Sequence, residues 1–166
     1  MNENPKIILL TGPAGAGKNT VAATYSRTRE RCAVVDVDAV RQMLTNPHKA
    51  PWEGKDGALQ YDLGIRNACA LVRNFFSDGC DVLILDVVPE ERISLYKEEL
   101  ADLGLEIILL LPSFQEIQRR NASRTVYLKN EEIEMLYRSQ EKLISFDRKI
   151  DTTKLSPDQV VEELLS

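Results

Sequence analysis

Four short apolar runs that do not alternate constrain this chain more than any other feature. They are Lys6-Ile-Ile-Leu-Leu-Thr11, Cys32-Ala-Val-Val-Asp36, Asp81-Val-Leu-Ile-Leu-Asp86 and Leu105-Glu-Ile-Ile-Leu-Leu-Leu111. A strand with one wet face reads apolar and polar in turn. A continuous run has no wet face, which is the condition of a strand inside a parallel sheet with helices on both sides. Arg148-Lys-Ile-Asp-Thr-Thr153 is a weaker fifth candidate. The segments between the runs carry helical signals. Residues 19–30 follow the first run, and residues 56–77 place apolar side chains at Leu59, Leu63, Ile65, Cys69, Leu71, Val72 and Phe76. Residues 89–103 open on Pro89 and stop at Gly104, a favourable start and stop for a helix. Helices are also expected over 113–124, 130–145 and 157–165, the last capped by Ser156. This alternation predicts one α/β domain of three layers, with a five-stranded parallel sheet in the middle.

At 166 residues the chain is one domain's worth, and no linker or repeat divides it. The one long irregular stretch is 45–57, which contains Pro47, Pro51, Gly54, Gly57 and Trp52 and is a candidate substrate lid. The net charge of −5 argues against an extended nucleic-acid surface but leaves room for a local anion site. Cys32, Cys69 and Cys80 are odd in number and widely spaced, and His48 is the single histidine. Neither a disulfide framework nor a zinc site follows from such a set, so reduced and mostly buried thiols are expected. Met1–Lys6 is polar and lacks the basic region and apolar core of a signal peptide. The apolar stretch Ile107–Pro112 is far short of the ~20 residues that cross a bilayer. A cytoplasmic protein without membrane contact is expected.

Gly12-Pro-Ala-Gly-Ala-Gly-Lys-Asn-Thr20 lies directly between the first run and the first helix. Gly12, Gly15 and Gly17, with only Ala14 and Ala16 between them beyond the proline, let backbone N–H groups close on a phosphate without side-chain clash. The start of the helix adds unpaired N–H groups and the positive end of its dipole. Lys18 then reaches the outer phosphates as a point charge. Two glycines and a lysine at this spacing arise by chance in roughly 5% of chains of this length, and the flanking strand and helix lower that several-fold. In this motif a Ser or Thr normally follows the lysine and ligates Mg2+ through its hydroxyl. Here the residue is Asn19, followed by Thr20. An amide oxygen can hold Mg2+ directly or through water, so both residues are candidates around the metal and nucleotide binding survives the change.

The loop resembles those of the small P-loop kinases, among them adenylate, shikimate and gluconate kinases. Asp38-Ala-Val-Arg41 is similar to the Asp-x-x-Arg of the phage polynucleotide 5′-kinase, and chloramphenicol phosphotransferase and zeta-toxin kinases carry a comparable Asp. The order of elements agrees over nearly the whole chain. The resemblance implies a P-loop NTPase fold of the nucleoside- and shikimate-kinase kind. It implies ATP- and Mg2+-dependent transfer of the γ-phosphate to a hydroxyl of a small molecule. It further implies a lid over 113–130 with Arg120 and Arg124 as its basic residues, and an adenine seat near Asp151–Lys154. A polynucleotide 5′-hydroxyl kinase and a nucleotide-binding regulatory module are the alternatives. The negative charge counts against the first; Asp38 and the Trp52 loop count against the second.

The remaining candidates follow from position. Asp38 after the second run either orients an acceptor hydroxyl and takes its proton or caps a short helix, with Asp36 as its rival. Arg41, one turn on, would contact the acceptor or the transferring group. Asp86 ends the most apolar run, where a carboxylate can hold Mg2+ or its waters; a helix entry before Pro89 is the other reading. Arg120 and Arg124 share a helix face and could converge on one anion and bind nucleotide, or pair on the surface with Glu116. Arg66 either reaches the acceptor or pairs with Asp62. Trp52 either stacks on an acceptor ring or anchors its loop.

Overall fold

The apolar runs become the strands of one sheet in the computed structural model, which describes residues 4–125 and 128–166. Strands β1 (Ile7–Thr11), β2 (Cys32–Asp36), β3 (Asp81–Leu85), β4 (Leu105–Leu110) and β5 (Arg148–Ile150) lie in the order β2-β3-β1-β4-β5. Every pairing is parallel, with Leu9 opposite Ile84 on one side and Ile107 on the other. The lack of alternation now has its explanation. Ile7 and Leu9 point into one core with Val82, Ile84, Ile107 and Leu109. Ile8 and Leu10 point into a second with Leu83, Leu85, Ile108 and Leu110. Burying each such side chain stabilises the fold by about 2 kcal/mol.

Seven helices are described: α1 (Lys18–Arg27), α2 (Val37–Gln42), α3 (Gly54–Ser77), α4 (Glu90–Glu99), α5 (Phe114–Ala122), α6 (Asn130–Glu141) and α7 (Pro157–Leu165). The first core is closed by α3 and α4 through Tyr61, Ile65, Cys69, Val72, Ile93 and Tyr96. The second is closed by α1 and α7 through Val21, Tyr25, Val160, Val161 and Leu164. The chain is thus a single three-layer α/β domain. Among the described residues no helix is long and apolar enough to cross a membrane.

Local signals placed some boundaries well. Ser156 caps α7, its hydroxyl accepting from the Gln159 N–H at 3.3 Å while Gln159 accepts from the Ser156 N–H at 2.9 Å. Three boundaries differ from expectation for tertiary reasons. The irregular stretch ends at Glu53, since α3 begins at Gly54. Gln60 on that helix holds the loop back, accepting from the Lys49 N–H and donating to the Pro47 carbonyl, both at 2.8 Å. Helix α4 stops at Glu99, not 103, because Arg73 takes the Glu99 carbonyl at 2.6 Å and the Asp102 carboxylate at 2.5 Å. Helix α6 stops at Glu141, not 145, because Glu90 accepts the Ile144 and Ser145 N–H groups at 2.8 and 3.2 Å. Within the expected lid 113–130, residues 126 and 127 lie outside the described residues, as does Met1–Glu3 of the N-terminal segment.

Candidate active site

A cleft of about 500 Å³ opens at the carboxyl edge of β1, β2 and β3. This is where an open parallel sheet places its ligands. One wall is the glycine-rich loop: Ala14, Gly15, Ala16, Gly17, Lys18, Asn19 and Thr20 all line it. Gly12 lies at the root of the loop, where a Cβ would overlap the Leu110 carbonyl oxygen of β4. Gly17 is the N-cap of α1 at φ 97 and offers no side chain to the first-turn amides, which are left for a ligand. Lys18 is half-buried and donates to the Gly12 and Pro13 carbonyls at 2.6 and 3.1 Å. Burial pushes its ammonium down to about 8, with Asp86 and Asp38 opposing that shift.

Asp86 is 5% exposed and faces the cleft from the end of β3. Its Oδ2 accepts from the Tyr96 hydroxyl at 2.7 Å and its Oδ1 from the Val87 N–H at 2.9 Å. Tyr61 approaches both oxygens at 3.3–3.4 Å while donating to the Val87 carbonyl at 2.8 Å. Helix α4 is entered through Pro89, so Asp86 caps no helix. Burial pushes its carboxyl up from 3.8 to about 6, partly offset by the Tyr96 hydrogen bond. A raised carboxyl binds its proton more tightly in the folded chain than in the unfolded one. The nucleotide- and metal-free protein therefore loses stability as pH rises from about 4 through 6. Asp86→Asn, whose amide keeps one acceptor, is expected to stabilise that form by about 2 kcal/mol at about pH 7.5. Denaturant melts would show the gain, and it should shrink as pH falls and vanish below about pH 3, where the carboxyl is protonated in the folded and unfolded chains alike.

The second strand delivers two carboxylates with different tasks. Asp36 is the N-cap of α2, accepting from the Asp38 N–H at 3.0 Å. That capping leaves the Asp38 side chain, 60% exposed, on the cleft wall with Arg41 as its ion-pair partner. Arg41 lies over the Tyr61 ring at 4.9 Å, with Arg92 over the same ring at 4.8 Å. It can do so because residue 64 of α3 is glycine: a Cβ there would overlap the Arg41 side chain. Arg41 is thus held beside the cleft through Asp38 rather than in its lining. Trp52 is 67% exposed and also outside the lining. Arg66 is not brought to the cleft; it pairs with Glu99 at 3.6 Å, and Asp62 pairs with Arg92 at 2.9 Å instead. The helix turn that brings Arg66 near Asp62 is overridden by contacts between α3 and α4.

Arg120 and Arg124 both line the cleft together with Asp36 and Asp38. The guanidinium of Arg124 has no hydrogen bond or ion pair to any described residue. Arg120, by contrast, is engaged by Glu116 at 2.7 Å and by three backbone carbonyls. From the far side come Thr152, Leu155, Pro157 and Val160, which set an apolar wall beside the loop, next to the expected adenine seat.

Several contributors carried no local signal. The Tyr96 hydroxyl on α4 donates to Asp86, and the Tyr61 hydroxyl on α3 donates to the Val87 carbonyl beside it. Gln140 is fully buried, accepts from the Thr11 hydroxyl at 2.7 Å and donates to the Val88 carbonyl at 2.8 Å. It thereby ties the root of the loop to the segment after β3. Only the fold shows that these groups meet.

Among the described residues no group of three or more His, Cys, Asp or Glu side chains could cage a metal ion. Mg2+ asks for less, since it keeps several waters and takes one or two carboxylates plus phosphate oxygens. One buried carboxylate, Asp86, lines the same cleft as Asn19 and Thr20, and this donor set fits.

No protein-family model and no curated protein match the sequence. Solved structures do match, kinases among them, and what they share with this chain is the fold. The tunicamycin resistance protein of Deinococcus radiodurans superposes with TM-score 0.73 at 21% identity, covering 96% of this chain and 93% of that one. The APS kinase of Mycobacterium tuberculosis in complex with AMPPNP and APS gives 0.70 at 19%, over 98% and 96%. The shikimate kinase of Acinetobacter baumannii in complex with shikimate gives 0.65 at 19%, over 98% and 92%. At these identities the likeness is one of fold.

Proposed function

We propose that this chain is a kinase that moves the γ-phosphate of ATP, with Mg2+, to a hydroxyl of a small molecule. The supporting observation is the convergence on one cleft of the loop amides, Lys18, buried Asp86 and the outward-facing Asp38. The fold neighbours add support, since two of them hold a nucleotide analogue or a small-molecule partner in the same fold.

The loop amides and Lys18 bind the β- and γ-phosphates, and the apolar wall of Leu155, Pro157 and Val160 receives the base beside Thr152. Asp86, Asn19 and Thr20 hold Mg2+, which when bound neutralises charge on the phosphate oxygens. Asp38 orients the acceptor hydroxyl and accepts its proton late in transfer; Arg41 fixes the Asp38 carboxylate. Arg124 closes over the transferring group from the segment 113–130, which acts as the lid. Residues 45–57, with Trp52, border the acceptor side. Catalysis is positioning and charge stabilisation, with no covalent intermediate required.

An acceptor-binding wall bearing Asp36 and Asp38 is unfavourable for a polyanionic 5′-hydroxyl strand. A slow-hydrolysing regulatory module needs no carboxylate at the acceptor position. ADP release screened against antibiotics, sugars, nucleosides, nucleotide sugars and 5′-hydroxyl oligonucleotides tests the proposal, with Lys18→Ala as the blank. Acceptor-independent ATP hydrolysis, unchanged in Asp38→Ala, would sink it in favour of the regulatory module.

A further inference from the structure

Arg120 grips the phosphate loop from α5. Its Nε donates to Glu116 at 2.7 Å, its Nη1 to the Gly15 and Ala16 carbonyls at 3.2 and 3.3 Å, and its Nη2 to the Thr152 carbonyl at 2.9 Å. Thr152, 2% exposed, donates its own hydroxyl to the same Ala16 carbonyl at 3.3 Å. Two successive carbonyls of the loop are thus pinned from α5, and one of them also from the segment after β5. A peptide unit is planar and trans, so its C=O and N–H point in opposite directions. Pinning the Ala16 carbonyl toward Arg120 therefore turns the Gly17 N–H to the other side of the loop. Pinning the Gly15 carbonyl does the same for the Ala16 N–H, which closes a turn on the Pro13 carbonyl at 3.1 Å. Arg120 Nη1 lies 3.8 Å from where a Cβ of Gly17 would stand, at a residue whose φ is +97. Glu116 is itself braced by Arg119 at 2.7 Å, so the guanidinium is held at both ends.

We infer that Arg120 is a positioning residue that holds the phosphate loop in its nucleotide-receiving shape and, through Thr152, links that shape to the segment beside the nucleotide base. This differs from the direct contact with an anion that the shared helix face predicts for Arg120. It rests on the nucleotide-binding reading above, because the shape matters only if the loop receives a phosphate chain.

Two measurements on the full chain test the grip. Amide hydrogen exchange of residues 12–18 in the nucleotide-free protein should speed up in Arg120→Gln, with Arg120→Lys intermediate. Calorimetric titration with ATP and Mg2+ should show about tenfold weaker binding for Arg120→Gln. Thr152→Val, which removes one hydroxyl at constant shape, should move both readouts the same way by less. It also serves if Arg120→Gln fails to fold. The double variant should fall short of additivity, since both residues hold one carbonyl. Unchanged loop exchange in Arg120→Gln overturns the inference, because a residue touching only nucleotide leaves the free loop alone. Faster exchange with unchanged affinity overturns it too. A wild-type protein that binds no ATP defeats the functional reading and the ligand half of this inference together, and the exchange pattern separates that failure from a failure of the grip.

Discussion

Replacing Lys18 with alanine is expected to weaken binding of ATP by about 10- to 100-fold, the worth of a charge-assisted contact in a water-poor cleft. Turnover should fall by about 10²–10³-fold, because the ammonium also meets charge that builds up on the phosphate chain during transfer. The loss will not reflect unfolding. In the free protein burial holds the Lys18 ammonium down to about 8 from 10.5, so keeping it charged at neutral pH costs folding free energy. Removing it leaves the melting temperature of the nucleotide-free protein unchanged or higher. The sign of the pH effect follows. A lowered lysine is a burden on folding below about 8 that disappears as pH rises toward 10.5. Nucleotide affinity moves the other way, declining above about pH 8 by up to about tenfold per unit, as the free ammonium gives up the proton that binding must restore. Calorimetry in two buffers of different ionisation enthalpy would register that proton uptake. A pH-independent affinity up to about pH 10 would show that Lys18 is not the phosphate contact.

The second large effect is at Asp38. With the acceptor found by the ADP-release screen, Asp38→Asn is expected to lower kcat by about 10²–10⁴-fold, the usual contribution of a positioned general base. ATP affinity should stay within about twofold, since no phosphate contact is lost. This effect rests on the division of labour on β2 and α2. Had Asp38 been the helix cap, its substitution would cost about 1 kcal/mol of stability and little else. The cap is Asp36, whose carboxylate accepts the Asp38 N–H at 3.0 Å, and Asp38 is left with Arg41 and the cleft. A stability loss in Asp38→Asn with kcat intact would reverse these assignments.

The two halves of the site differ in how legible they were. The glycine-rich loop and its lysine declare themselves in one continuous stretch, because the chemistry of holding a phosphate is done by consecutive amides. Asp86 was legible by place, at the end of a run too apolar to be anything but a central strand. Its surroundings were not, since Tyr96 comes from α4 and Tyr61 from α3, and neither helix face distinguishes a tyrosine that packs from one that donates. Arg66 shows the opposite case. Helical spacing brings it near Asp62, but α4 offers Arg92 to Asp62 and Glu99 to Arg66, and the pairing exchanges across the helices.

The parallel sheet, its five strands and the loop at the end of β1 were determined by the order of residues alone, because continuous apolar runs and a glycine–lysine motif act through the backbone and its nearest neighbours. Where α4 and α6 stop and how Arg120 meets the loop were decided only by the tertiary structure. In each of those cases the deciding hydrogen-bond partner, or the competition for it, comes from packing between elements. Free energies of about 1 kcal/mol per hydrogen bond are enough to override a local preference of similar size.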